Sequence, residues 1–457
     1  MREALRNKDI RRVLTGQFLS NLGDWLLVVA APFYVWQLTG SALATGLSIA
    51  AEMVPALLLG PIAGVFVDRW DNRTVMVAAD VLRAGAAALL LLVHSADQVW
   101  VLYVALALES SFGQFFVPAR QALIPALVGR GSALLSANSL AALVGGTIRL
   151  VGAPLGGVLY ALVGFGPVVA IDVGTYLASA ALIALIRHRP AQADRRPDRS
   201  GAKGGALARF GAEVTQGWAH VRTTPGFAVV FGAAGLFLVG NSALTALLVP
   251  FVSGTLRADA RTLGLLLGAL GAGFLVGAPM SRFVNARCSM RYLMMGSFGI
   301  LGVVFLAAFN APDLVTAAVL FALIGPPAVC ALVAIDTFIQ RHTADAILGR
   351  VSAAYLTLQA AATLLGSLAG AALGQAWGTG ATADLAGLVV VAAGACAILI
   401  PPDRRTPPDD KPHLARTRPD EPHEAEIGDP HPARTRPDEP RQAETGEPHP
   451  ARTPPPT

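Results

Sequence analysis

Gly64-Val65-Phe66-Val67-Asp68-Arg69-Trp70-Asp71-Asn72-Arg73-Thr74 is a charged joint between two apolar runs, 41–67 and 75–94. At about 1.5 Å of rise per residue, each run is long enough as a helix to cross a hydrocarbon layer about 30 Å thick. The same alternation continues outward in both directions. Further apolar runs fall near 13–38, 99–117, 136–162, 166–186, 226–252, 262–283, 292–309, 314–340, 349–375 and 383–400, and arginines gather in the segments between them. The reading is an all-α integral membrane chain of twelve transmembrane helices. Composition agrees, because 54% of residues are hydrophobic and only 14% are charged, with a mean hydropathy of +0.55. A soluble globular domain carries about a quarter charged residues.

The net charge of +5 does not indicate a nucleic-acid partner, since Lys and Arg sit in loops that alternate with apolar runs. Their distribution sets an orientation instead. With the N-terminus inside, one side holds Arg73, Arg120, Arg130, the cluster from Arg187 to Arg222, Arg282, Arg341 and Arg350, while the other holds Arg257 and Arg261. Both termini are therefore expected in the cytoplasm and the chain in the cell membrane. The first apolar run is too long for the core of a signal peptide and is expected to be retained. Cys288, Cys330 and Cys396 form neither a disulfide framework nor a metal pattern.

Residues 188–225, rich in charge, Pro and Gly, divide the spans six and six and read as a cytoplasmic linker. Gly64 to Arg69 after the second span has a counterpart in Gly277 to Arg282 after the eighth, as expected of two related halves. The expected units are a six-helix bundle over 1–187, the linker, and a second six-helix bundle over 226–400. A tail over 401–457 repeats PHLARTRPDEPHEAEIGD and PHPARTRPDEPRQAETGE, and this composition is expected to be disordered.

The joint quoted first resembles the G-x-x-x-D-R-x-x-x-R signature of the major facilitator superfamily, with Asp71 where a second Gly often stands. Asn21-Leu22-Gly23-Asp24-Trp25, Phe115-Phe116-Val117-Pro118-Ala119-Arg120 and Ala137-Asn138-Ser139-Leu140 narrow the resemblance to the branch with siderophore and macrolide exporters. Arg149-Leu150-Val151-Gly152-Ala153-Pro154-Leu155-Gly156-Gly157 resembles the Gly/Pro motif of the superfamily's antiporters, with Pro one residue later than usual. The resemblance covers residues 1 to about 400. It implies the major facilitator fold, two pseudo-symmetric six-helix bundles, and gating roles for Gly64, Asp68, Arg69 and Arg73. It also implies export, with alternating access between the halves. Read without the resemblance, Gly145, Gly146, Gly152, Gly156 and Gly157 mark close helix packing in the fifth span, to which the resemblance adds Pro154.

Charges inside the spans are the second signal, because each costs a few kcal/mol at the bilayer centre. Asp24 lies roughly 16 Å from the inner end of span one, and Glu52, Glu109 and Arg149 are similarly deep in spans two, four and five. They are expected to meet near the midplane of the first half, either as a proton-coupling site on the substrate cavity or as a structural ion-pair network. Three carboxylates against one Arg leave an acid excess. Asp80 and Arg83 are expected to anchor the cytoplasmic end of span three, and Asp172 to lie towards a span end where water reaches it. HExxH, GxSxG and Walker A motifs are absent from the sequence, which disfavours an enzyme or an ATP-driven pump. The expected function is proton-coupled efflux of a hydrophobic or amphipathic small molecule. The alternatives are import on the same fold, or a membrane scaffold using the tail. The expected partners are the bilayer and a small-molecule substrate, for a monomer without cofactor or metal.

Overall fold

A computed structural model describes residues 7–67, 70–129, 132–186 and 206–401. Twelve of its helices are long and apolar enough to cross a membrane. They are α1 (Lys8–Thr39), α2 (Ala42–Val67), α3 (Asn72–Ala88), α4 (Val99–Val128), α5 (Ser132–Val163), α6 (Phe165–Ala184), α7 (Phe227–Pro250), α8 (Ala260–Arg287), α9 (Met290–Phe309), α10 (Leu314–His342), α11 (Asp345–Trp377) and α12 (Thr379–Cys396). An even number of crossings leaves Lys8 and Ile400 at one face of the membrane, the terminal face.

The joints are short because the chain carries its own stops and starts. Gly40, at φ 61°, ends α1 in a left-handed turn that a side chain would strain, and its N–H donates to Trp36 O at 2.8 Å. Three starts use one device, an Asp whose carboxylate accepts the backbone N–H of a Thr three residues on: Asp71 to Thr74 at 2.9 Å, Asp259 to Thr262 at 3.3 Å and Asp313 to Thr316 at 2.9 Å. Asp71, the departure from the commonest signature, is therefore the N-cap of α3. Large side chains such as Leu135, Val315 and Leu399 point outward at about seven-tenths exposure, which suits acyl chains as surroundings.

The stretch 188–225 is helical over Ala206–Thr223. In that helix Gly217 lies against the backbone of Arg350 on α11, and Trp218 meets Phe231 of α7 edge-on at 6.0 Å. Asp68 and Arg69 of the joint, the first part of the linker and the tail beyond Pro401 lie outside the described residues.

The two halves, α1–α6 and α7–α12, meet along two seams. At the first, a Cβ on Gly157 of α5 would collide with Ala260 O of α8, one on Gly264 would lie 3.0–3.1 Å from Ala153 and Pro154 backbone, and one on Gly268 would lie 2.7 Å from the Pro154 ring. At the second, Gly46 of α2 abuts Ala371 of α11, and Gln375 Oε1 accepts from Ser41 Oγ at 3.2 Å and Ala42 N at 3.0 Å. Both seams sit at the end away from the terminal face. On its other side α5 presses Gly152 onto Trp25 and Gly156 onto the Leu26 backbone of α1. Gly152 and Gly156 thus serve packing within the half, while Gly157 and Pro154 serve packing between halves; Gly145 and Gly146, expected to pack as well, face open space, with nothing within 4 Å of a Cβ at either.

Candidate functional site

The interior of the first half is polar where four helices converge. Along α6, Asp172, Thr175, Tyr176 and Ser179 recur at three- and four-residue spacing and so share one face. Asp172, Tyr176 and Ser179 have no exposed surface. Opposite them stand Asp24 of α1, Asp80 and Arg83 of α3, and Glu109 of α4. Arg83 Nη2 donates to Asp24 Oδ1 at 2.8 Å and to the Tyr176 hydroxyl at 2.7 Å, and lies 3.8 Å from Glu109 Oε1. Its guanidinium carbon also sits 4.3 Å above the Tyr176 ring, a cation–π contact in a water-poor setting. Gly113 of α4 makes room for it, its Cβ position being 3.5 Å from Arg83 Nε.

The Tyr176 hydroxyl is within hydrogen-bonding reach of Asp24 Oδ1, and of Glu109 Oε1 at 2.5 Å. A phenol carries one hydrogen. It can donate to one carboxylate, so the second contact needs a hydrogen on a carboxyl group. Glu109 Oε2 is buried without a hydrogen-bond partner, which disfavours a full charge on Glu109. One proton held between Asp24 and Glu109 through Tyr176 satisfies all three contacts, while Arg83 neutralises the remaining carboxylate. Asp24 is the group of this set that faces open space, with three-tenths of its side chain exposed. Glu52 of α2 is within electrostatic reach of Glu109, Asp24 and Arg83, and its carbonyl accepts from Ser110 at 2.6 Å.

Two expectations from sequence are corrected here. Arg83 is not a terminal-end anchor: α3 starts at Asn72, so Arg83 is about 16 Å into it, at the centre of the cluster. Asp172 is not reached by water; it is fully buried against Gly23, and neither carboxyl oxygen has a hydrogen-bond partner. The side chain of Arg149 lies outside the described ones; among the described side chains, Arg83 is the cation that meets the acids. Of the joint, Arg73 reaches the last turn of α6, donating to Ile183 O at 3.3 Å and to Ala184 O. Tyr176 was missed, although its place between Asp172 and Ser179 on one helical face was the available signal. No group of three His, Cys, Asp or Glu among the described residues is arranged to hold a metal ion.

Twelve crossing helices in two bundles, with buried charge inside one of them, define a secondary transporter of the major facilitator kind. The chain belongs to the transmembrane secretion effector family, whose model matches residues 3–421. It is 30% identical over 409 residues to the multidrug efflux pump Tap of Mycolicibacterium fortuitum, covering 85% of this chain and 95% of that protein. Macrolide efflux protein A of Streptococcus pyogenes is 28% identical over 178 residues, a match spanning 38% of this chain and 44% of that protein's length. The crystal structure of the nucleoside transporter NupG shares the fold, with a TM-score of 0.69 at 12% identity over 86% of this chain and 98% of that one.

Proposed function

We propose that this transporter exports hydrophobic or amphipathic small molecules in exchange for protons, by rocking its halves about the α5–α8 and α2–α11 seams. The observation that carries the coupling is the Tyr176 hydroxyl set between two carboxyl groups with one hydrogen to give. Such a site binds a proton reversibly and opens to substrate through Asp24. The efflux direction is supported by the names of the similar proteins, a multidrug pump and a macrolide efflux protein. Asp24 beside the open space favours substrates with a positive charge. The loop arginines support a cell-membrane protein with both ends in the cytoplasm, and nothing in the mechanism requires more than a monomer.

The test is a set of four variants assayed for folded abundance and for efflux driven by an imposed pH gradient. Asp24→Asn and Glu109→Gln are expected to remove pH-driven efflux at near-normal abundance while preserving substrate exchange. A purely structural role predicts instead that each loses abundance because Arg83 is left unpaired, and that adding Arg83→Gln restores it. The short Arg83–Asp24 pair favours that second reading, so abundance rescued by the double change, together with pH-driven efflux, would overturn the proton-carrier assignment.

A further inference from the structure

Asp80 is a buried acid that the exchange just described leaves idle. It has no exposed surface, and neither of its carboxyl oxygens completes a hydrogen bond. An ionised carboxylate in that condition is costly by several kcal/mol, which favours a proton on Asp80. It stands one helical turn from Arg83 on α3. Ser179, equally buried, has its hydroxyl within reach of the Asp80 carboxyl group and lies one turn from Tyr176 on α6. Two members of the midplane cluster thus each have a proton-bearing neighbour one turn nearer the terminal face.

Beyond this step, towards the terminal face, lies a polar cavity. Gly16 of α1 packs on Ser179, its Cβ position 3.0 Å from the Ser179 hydroxyl oxygen. The next residue, Gln17, accepts from Arg120 at 2.6 Å and lines a cavity of about 580 Å³ with Gln121 and Asn138. In the opposite direction the bundle is closed by rings: Tyr34 stacks on Phe165 at 4.0 Å, and Tyr160 meets Phe33 at 5.7 Å. The charged and titratable groups around the step are Arg83 on its own helix, Asp24, Glu109, Tyr176 and Asp172 on the helices packed against it, and Glu52 behind them.

We infer that Asp80 and Ser179 form the step by which protons pass between the Asp24–Glu109 pair and the terminal face while substrate fills the space before Asp24. The inference rests on the proton-exchange reading and adds a route to it. Substrate seated at Asp24 would displace the shared proton and also cover the direct way out. A second way through the bundle interior removes that conflict. The transfer balances at every hop, because a neutral carboxyl accepts a proton on its carbonyl oxygen as it gives up the one on its hydroxyl, and Ser179 does the same on a single oxygen.

The test uses purified full-length protein in weakly buffered detergent solution, with tetraphenylphosphonium, a hydrophobic cation, added by rapid mixing. Proton release is followed with an indicator dye, and affinity is measured separately. The wild type is expected to release protons as fast as it binds. Asp80→Asn should slow release about tenfold or more at unchanged affinity, and Ser179→Ala, which removes one oxygen and leaves the packing, should slow it several-fold. Asp80→Glu should restore most of the rate. Wild-type rates in both Asp80→Asn and Ser179→Ala, at matched affinity, would overturn the route while leaving proton exchange standing. Binding without any proton release in the wild type would overturn the exchange reading, and the route with it.

Discussion

The phenol of Tyr176 touches three charged or chargeable groups with a single hydrogen, so replacing it isolates what the hydroxyl does. Tyr176→Phe keeps the ring, and with it the contact under the Arg83 guanidinium. It removes the atom that links Asp24 to Glu109. Hydrogen bonds to charged groups contribute about 1.5–3 kcal/mol, so the expected outcome is a loss of roughly tenfold or more in pH-driven efflux. Efflux equal to wild type at matched abundance would remove Tyr176 from the proton site. At this scale the sequence was partly legible. Asp24 and Glu109 stood out as carboxylates deep in apolar runs, and depth is readable from a count of residues. Arg83 reads as terminal only from the edge of its apolar run, whereas α3 begins in the polar joint at Asn72; Asp172 is sealed by Gly23 of α1, which its position along α6 does not reveal. Which acid meets which base is a matter of helix rotation and packing, and a single chain's spacing does not fix it.

Helices in this protein are positioned by small residues on one side and by caps at their ends, and both make predictions. On α5, a methyl group at Gly157 would collide with the Ala260 carbonyl, whereas one at Gly146 would meet nothing within 4 Å. Overpacking against rigid backbone costs about 1–3 kcal/mol, while Gly→Ala at an open helical site is neutral or favourable by up to about 1 kcal/mol. Gly157→Ala should therefore lower the melting temperature of the purified protein and Gly146→Ala should not. Equal melting temperatures would mean that the α5–α8 seam yields. The caps carry a pH prediction. The Thr316 backbone N–H, helped by its hydroxyl, holds the exposed Asp313 below the usual carboxylate range. A group depressed on folding contributes stability above its unfolded value, near 3.8, and loses it as pH falls through the folded one. Asp313→Ala should thus differ from wild type in thermal stability at pH 7, with the difference fading below about pH 4. The helical runs were legible because they are local. The division of labour among the α5 glycines was not, because it depends on the neighbours that two faces of one helix meet.

For the whole molecule, the described close approaches between halves fall away from the terminal face, at Gly157–Ala260, Gly46–Ala371 and Ser41–Gln375. In the proposed orientation, with the terminal face in the cytoplasm, a reporter active only there should work when fused after Arg405 and fail when inserted at Asp259. Equal activity at both sites would reverse or abolish that orientation. If the halves rock, the outer seams must part once per cycle, since a cavity open to both faces would dissipate the gradient that drives it. Ser41 and Gln375 are suited to testing this, because they join α2 to α11 at the edge of the seam and take no part in the carboxyl cluster. With the exposed Cys288 replaced by Ser, Ser41→Cys and Gln375→Cys can be bridged by a short bifunctional thiol reagent. The bridge is expected to reduce pH-driven efflux to background, while either cysteine alone, treated identically, retains most of it. Substrate binding from the terminal face should survive bridging, because that side is free of the joined seam. Full efflux from completely bridged protein would show that this end need not open and would end the rocking account.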